Sequence, residues 1–161
     1  ICLSVNLSGL SVNDPGFLEY VQKTLKEFRV EPKTICFEIT ETATISNMAE
    51  AVSFIQQMKE IGCRFALDDF GSGLSSFGYL RTLPVDYVKI DGIFVKNICT
   101  NKIDRAMIRS INEIGQLMGK KTVAEFVEDE ECATLLKELG VDYAQGYGIS
   151  RPQPIENLKP Q

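Results

Sequence analysis

The sequence contains no histidine and no tryptophan. Without histidine, Ser-His-Asp and Cys-His nucleophilic catalysis are excluded, and so are zinc sites built on imidazole. Any metal ion must be held by oxygen donors, which favours magnesium, manganese or calcium. Basic runs are missing too. Lys and Arg number 17 against 22 Asp and Glu, a formal net charge of −5, so no footprint for non-specific DNA binding exists. An anionic ligand would have to be drawn in by a bound cation. No apolar run approaches a membrane span, and no basic-apolar opening resembles a signal peptide, so this segment is expected to make no membrane contact. Cys2, Cys36, Cys63, Cys99 and Cys132 are odd in number and widely spaced, with no C-x-x-C pair. Buried free thiols in a reducing cytoplasm fit that pattern better than a disulfide framework.

What is there is a chain of 161 residues, 44% of them hydrophobic, enough for one globular domain over residues 1–161. Ile1–Asn6 reads as a strand. A helix is predicted from about Pro15 to Phe28, with Asp14 as N-cap and Phe17, Val21, Leu25 and Phe28 on one face. Thr34–Thr40 is a β-branched strand. A helix over Asn47–Ile61 follows Ser46 as cap and stops at Gly62. Arg64–Asp68 and Tyr87–Ile90 are strands, the first followed by the turn-rich Asp69-Phe70-Gly71-Ser72-Gly73. A long helix over Ile103–Met118 carries Ile103, Met107, Ile111, Ile114 and Met118 as its apolar stripe. Lys121–Glu125 is a strand and Glu128–Leu139 an acid-fronted helix. Val141–Asp142 and Gln145–Tyr147 are short closing segments. This alternation predicts an α/β fold with a parallel sheet, and both a doubly wound sheet and a (β/α)8 barrel accommodate it.

Side chains alternate across a strand, so parity says which residues share a face. Each of the first four strands has one strongly apolar face, and its polar residue points the other way near the C-terminal end. In the fifth strand Glu125 shares parity with Val123, a less clean case. Five successive strands thus deliver Asn6, Glu38, Asp68, Lys89 and Glu125 near their C-terminal ends. Functional residues supplied by several strands at that face favour a barrel over one sheet crevice. An amide oxygen with several carboxylates is a hard-cation inventory. The adjacent Asp68 and Asp69 can serve two ions, and a nearby lysine can position or deprotonate a water between them.

Six segments carry a resemblance. Val5-Asn6-Leu7-Ser8, Phe37-Glu38-Ile39-Thr40-Glu41, Leu67-Asp68-Asp69-Phe70-Gly71-Ser72-Gly73, Lys89-Ile90-Asp91, Ala124-Glu125-Phe126-Val127-Glu128 and Gln145-Gly146-Tyr147 resemble, in order, the motif set of EAL-domain cyclic-di-GMP phosphodiesterases. The resemblance implies a TIM-like (β/α)8 barrel of the EAL type and hydrolysis of cyclic di-GMP to linear pGpG with Mg2+ or Mn2+ in a two-metal site. It implies Asn6, Glu38, Asp68 and Asp69 as metal ligands, with Asp68 bridging. Lys89 is then the candidate general base and Glu125 a contact to the second metal or its waters. Gln145 would order the water shell, and Glu41 would brace the Asp69–Ser75 loop, which the family couples to homodimerisation. Ser72 and Ser75 read as loop hydroxyls and Glu128 as serving the following helix. Phe126 stands where glycine is common in the family. An upstream sensor or GGDEF domain in the parent protein is expected from the same likeness.

The family's first strand, with the Glu-Ala-Leu signature, and the helices after it have no counterpart here. The chain therefore resembles the C-terminal roughly two-thirds of the domain, an incomplete barrel where about 250 residues are usual. Open edges are expected at the strand from Ile1 and at a last strand near Gln145–Tyr147. Two other readings compete, an inactive cyclic-di-GMP receptor module and a non-functional fragment. Every motif position present holds a competent residue, which favours the hydrolase.

Overall fold

The computed structural model describes residues 2–45, 47–72 and 77–157. They form two compact units: residues up to 68 together with 77–86, and residues 69–72 together with 87 onward.

The first unit opens with β1 (Leu3–Leu7), then α1 (Gly9–Val12) and α2 (Phe17–Glu27). The Ser8 side chain caps α1, accepting from the Ser11 amide at 3.1 Å. The start predicted for α2 at Pro15 moves to Phe17, because Asp14 Oδ1 accepts from the Gly16 amide at 2.8 Å. That bond sets Pro15 in a turn instead of a helix. A 3-10 turn over Pro32–Thr34 leads into β2 (Ile35–Thr40), followed without a break by α3 (Glu41–Ile45) and then by α4 (Met48–Ile61). The expected cap Ser46 lies outside the described residues; Asn47 occupies the cap position.

β3 (Arg64–Phe70) starts in this unit and passes into the second after Asp68, and α5 (Phe77–Leu80) belongs to the first. β1 runs parallel to β2 with Val5 opposite Phe37 and Asn6 opposite Glu38. β2 runs parallel to β3 with Phe37 opposite Phe65 and Thr40 opposite Asp68. The core is aromatic: the Phe54 ring of α4 meets Phe65 edge-on at 6.0 Å, and Phe37 lies 5.6 Å from Phe65. Leu3 and Val5 of β1 are exposed.

The second unit contains β4 (Tyr87–Ile90), α6 (Gly92–Val95), α7 (Lys102–Leu117), β5 (Lys121–Ala124), α8 (Glu130–Glu138) and β6 (Tyr143–Ala144). β4 pairs parallel with β5, and β5 with β6. Among the described residues the last strand thus precedes the expected Gln145–Tyr147. α8 also starts later than expected: Asp129 is its cap, accepting from the Cys132 amide at 2.8 Å, which leaves Glu128 outside the helix.

The stripe expected on α7 is corrected in part. The buried row is Ile108, Ile111, Asn112 and Gly115; Ile111 lies on it as expected, whereas Ile103 is 72% exposed and Met107 is exposed too. Periodicity selects the more apolar row, but polar satisfaction decides the packing. The buried Asn112 accepts from Thr122 Oγ1 at 2.5 Å and donates to the Leu139 carbonyl at 3.0 Å. Gly115 lets α7 approach β5 closely, since a Cβ there would lie 3.2 Å from Thr122 Cγ2.

The same device tethers two strands. In the first unit Asp86 accepts from the Phe65 amide at 2.9 Å and from Lys59 at 2.5 Å. In the second, Asp142 accepts from the Thr122 amide at 3.0 Å and from Lys121 at 2.6 Å. Each aspartate sits in a Val-Asp-Tyr triplet immediately ahead of a strand.

All five cysteines are free, with Cys36, Cys63 and Cys132 buried and Cys2 exposed. Burial pushes the Cys36 thiol up to about 12 and that of Cys132 up to about 11. Among the described residues no helix is long and apolar enough to cross a membrane.

Candidate active site

In the first unit, strand register places three predicted residues on one face. Asn6 is directly opposite Glu38, and Asp68, opposite Thr40, lies two residues beyond the partner of Glu38. Residues two apart on a strand share a face, so these three polar groups line one side. Glu38 is buried there. Glu41 opens α3 and is also buried, and its carboxylate accepts from the Tyr79 hydroxyl of α5. Sequence reasoning did not single out Tyr79, for nothing in its local pattern separates it from a surface tyrosine. Ser75 lies outside the described residues.

In the second unit, Lys89 and Glu125 form an ion pair of 2.8 Å whose side chains are only 5% and 12% exposed. Strand phase explains the pairing: Lys89 is the register partner of Val123, so Lys89, Val123 and Glu125 share a face, while Thr122 and Ala124 face the other way and are fully buried. The irregular phase of Glu125 is resolved by that register. Its amide extends the ladder to the Ile90 carbonyl at 3.3 Å.

Asp69 and Glu125 present carboxylate oxygens within 4.8 Å of each other. Asp69 has φ of +55°, in the left-handed region, which aspartate tolerates better than most residues. That backbone turn breaks the alternation after Asp68. Its carbonyl then accepts from Ser72 Oγ at 2.9 Å, closing the turn.

Beyond Glu125 the ladder is bulged. Gln145 donates its amide to the Ala124 carbonyl at 2.8 Å, and its carbonyl accepts from the Val127 amide at 3.1 Å. A regular parallel ladder would bond residues 124 and 126, so one extra residue is inserted. That residue is Phe126, with φ of +54°, a conformation costing a non-glycine residue about 1–2 kcal/mol. Gly146 follows Gln145 because any Cβ there would overlap the Val127 backbone. A cleft of about 350 Å³ opens here, lined by Lys96, Glu125, Phe126, Glu128, Gln145 and Tyr147. Glu128, assigned to the helix by sequence, therefore faces this cleft, and Lys96 joins it unforeseen.

These motifs and this fold have counterparts. The sequence profile of the EAL domain matches residues 1–152. The chain belongs to the EAL-domain family. It is 51% identical over 154 residues to the cyclic di-GMP phosphodiesterase PdeB of Shewanella oneidensis, covering 96% of this chain and 18% of that protein. It is 40% identical over 152 residues to the cyclic di-GMP phosphodiesterase PdeA of Borreliella burgdorferi, covering 94% and 23%. The solved PaMucR phosphodiesterase–c-di-GMP complex matches with a TM-score of 0.91 at 32% identity, covering 96% of this chain and 63% of that one. The chain thus spans about a fifth of the length of these curated relatives, and its α/β fold is that of the TIM-barrel-like EAL domains. As an EAL domain it offers a metal-binding donor set made only of oxygen. Asp69 and Glu125 stand close enough to share an ion, and such donors suit a hard divalent cation.

Proposed function

We propose that this EAL domain hydrolyses one phosphodiester of cyclic di-GMP to give linear pGpG. The observation that carries the reading is the buried Lys89–Glu125 ion pair, set beside Asp69 in a chain that holds the EAL motif residues. Relatives named cyclic di-GMP phosphodiesterases support the substrate. A buried cation–anion pair of this kind is costly unless the surroundings use it, and hydrolysis of a dianionic dinucleotide gives it a use.

Asn6, Glu38, Asp68 and Asp69 are the proposed ligands of Mg2+ or Mn2+, with Asp68 bridging, on the strength of the sequence motifs. Divalent ions at such a site supply a water-derived nucleophile at neutral pH and offset phosphate charge. The Lys89 amine holds the attacking water, and the Glu125 carboxylate fixes the direction of that amine. The water oxygen bonds to phosphorus while its proton passes to the Lys89–Glu125 pair, the P–O3′ bond breaks, and the leaving 3′ oxygen takes up an equivalent proton from solvent. Gln145 orders water at the cleft. Glu41, accepting from Tyr79, steadies α5.

The wider assignments rest on the same reading. The exposed row of α7, with Ile103 and Leu117, supports a homodimer, tested by the oligomeric state in solution. Five free thiols support a cytoplasmic setting. The fraction of the relatives covered leaves room for a sensor or GGDEF domain in the parent protein.

The test is turnover of cyclic di-GMP by the purified protein, with pGpG quantified by chromatography at fixed Mn2+. Production of pGpG that stops on chelation supports the proposal. Binding of the dinucleotide without any pGpG would replace it with the receptor reading.

A further inference from the structure

Phe126 is half exposed and still occupies a left-handed backbone, so burial of its side chain does not account for its conformation. Strained residues of this kind cluster at functional sites, and bulges beside active sites re-aim neighbouring side chains. The ring rests on α6. Lys96, at the C-terminal end of that helix, places its Nζ 4.4 Å from the ring centroid. At the N-terminal end, Gly92 leaves no room for a Cβ, which would lie 2.7 Å from Phe126 Cγ. Two neighbouring strand ends therefore touch twice. Lys89 pairs with Glu125, and three residues after Lys89 the backbone of Gly92 receives the ring of the residue after Glu125.

We propose that Phe126 is a positioning residue for the Lys89–Glu125 pair. Its inserted, left-handed backbone bulges the ladder just after Glu125. Its ring, seated against Gly92 and under Lys96, ties the Glu125 segment to the helix that starts three residues after Lys89. With that second contact in place, the carboxylate and the amine are held at one separation instead of swinging with the loop. Glycine at 126 would give the backbone turn without the brace.

The inference deepens the hydrolase reading but does not depend on it, because the ion pair can be measured by stability alone. In the protein that carries this chain, a double-mutant cycle with Lys89→Met and Glu125→Gln reads the coupling of the pair. Repeating the cycle in a Phe126→Gly background should shrink the coupling, seen as a factor in the unfolding constant, at least threefold. Equal coupling in both backgrounds overturns the proposal, whether or not the protein turns over cyclic di-GMP.

Turnover gives a second arm. Phe126→Gly should lower kcat about tenfold with KM within twofold. Gly92→Ala, which displaces the ring, should lower kcat similarly. The Gly92→Ala/Phe126→Gly double variant should be no worse than Phe126→Gly, because the overlap is gone. Additive losses, or an unchanged kcat in Phe126→Gly, would show a merely structural ring.

Discussion

Lys89 Nζ and Glu125 Oε1 sit 2.8 Å apart at the ends of β4 and β5, both almost wholly removed from water. Removing one partner of such a pair leaves a buried charge, at a cost of about 3–5 kcal/mol. Lys89→Met should therefore destabilise the fold by about that much. Lys89→Met/Glu125→Met should recover most of the loss while turnover stays absent. Denaturant titration with a parallel pGpG assay separates the two effects, and a double variant as unstable as the single one would contradict the pairing argument.

Lys89→Ala should act on chemistry more than on binding. A positioned acid–base group contributes about 10²–10⁴-fold, so kcat should fall at least about 100-fold while KM moves little. A large rise in KM at unchanged kcat would assign Lys89 to substrate binding.

Asp68→Asn should abolish metal-dependent hydrolysis with little change in thermal unfolding, since an amide cannot offset charge from two ions. Full turnover by the purified variant at unchanged Mn2+ would remove Asp68 from the bridging role.

Thr122 donates to Asn112 inside the second unit, and both side chains are buried. Thr122→Val keeps the shape but removes that donor from the Asn112 amide oxygen. The expected loss is about 1–3 kcal/mol, read as a lower denaturation midpoint at unchanged slope. Unchanged stability would mean that the hydroxyl contributes nothing to holding α7 on β5.

Burial would raise the Asp142 carboxyl, but hydrogen bonds from Lys121 and the Thr122 amide outweigh it and hold the group below its ordinary value. The hydrogen bond and charge of Asp142 raise Lys121 in turn. The signs follow from linkage. The Asp142 contribution is full above the unfolded value of about 3.9 and fades as pH falls through the lower folded one. The Lys121 contribution is full below about 10.4 and fades as pH rises through the higher folded one. The stability gap between the native chain and Asp142→Asn should thus stay constant from about pH 5 to 9 and close toward acid, where linkage removes it. A gap that persists at pH 2 would show that it is not electrostatic.

Strand phase made the placement of much of the candidate site legible. Alternation in β1 to β4 separates Asn6, Glu38, Asp68 and Lys89 from the apolar face, and the register of Lys89 with Val123 shows why Glu125 belongs with them. Backbone handedness was not legible. Asp69 and Phe126 both adopt positive φ, and only the glycine habit of the family at 126 hinted at it. The α7 row was misjudged because periodicity weighs apolarity, whereas Asn112 and Gly115 are buried for a hydrogen bond and for close approach. The repeated Val-Asp-Tyr triplet was a readable signal that local pattern analysis passes over, since the aspartate bonds to an amide 20 or 21 positions back.

The cysteines carry a practical consequence. Thiolates, not thiols, attack electrophiles, and burial holds Cys36 near 12 and Cys132 near 11, so both stay protonated and shielded at neutral pH. Burial also raises Cys63, and burial with the nearby Glu131 and Asp129 raises Cys99. That leaves Cys2, exposed and adjoining β1, as the first thiol a maleimide meets. Cys2 thus offers an attachment point for a fluorophore or spin label beside the strand that carries Asn6, ahead of the partly buried Cys99.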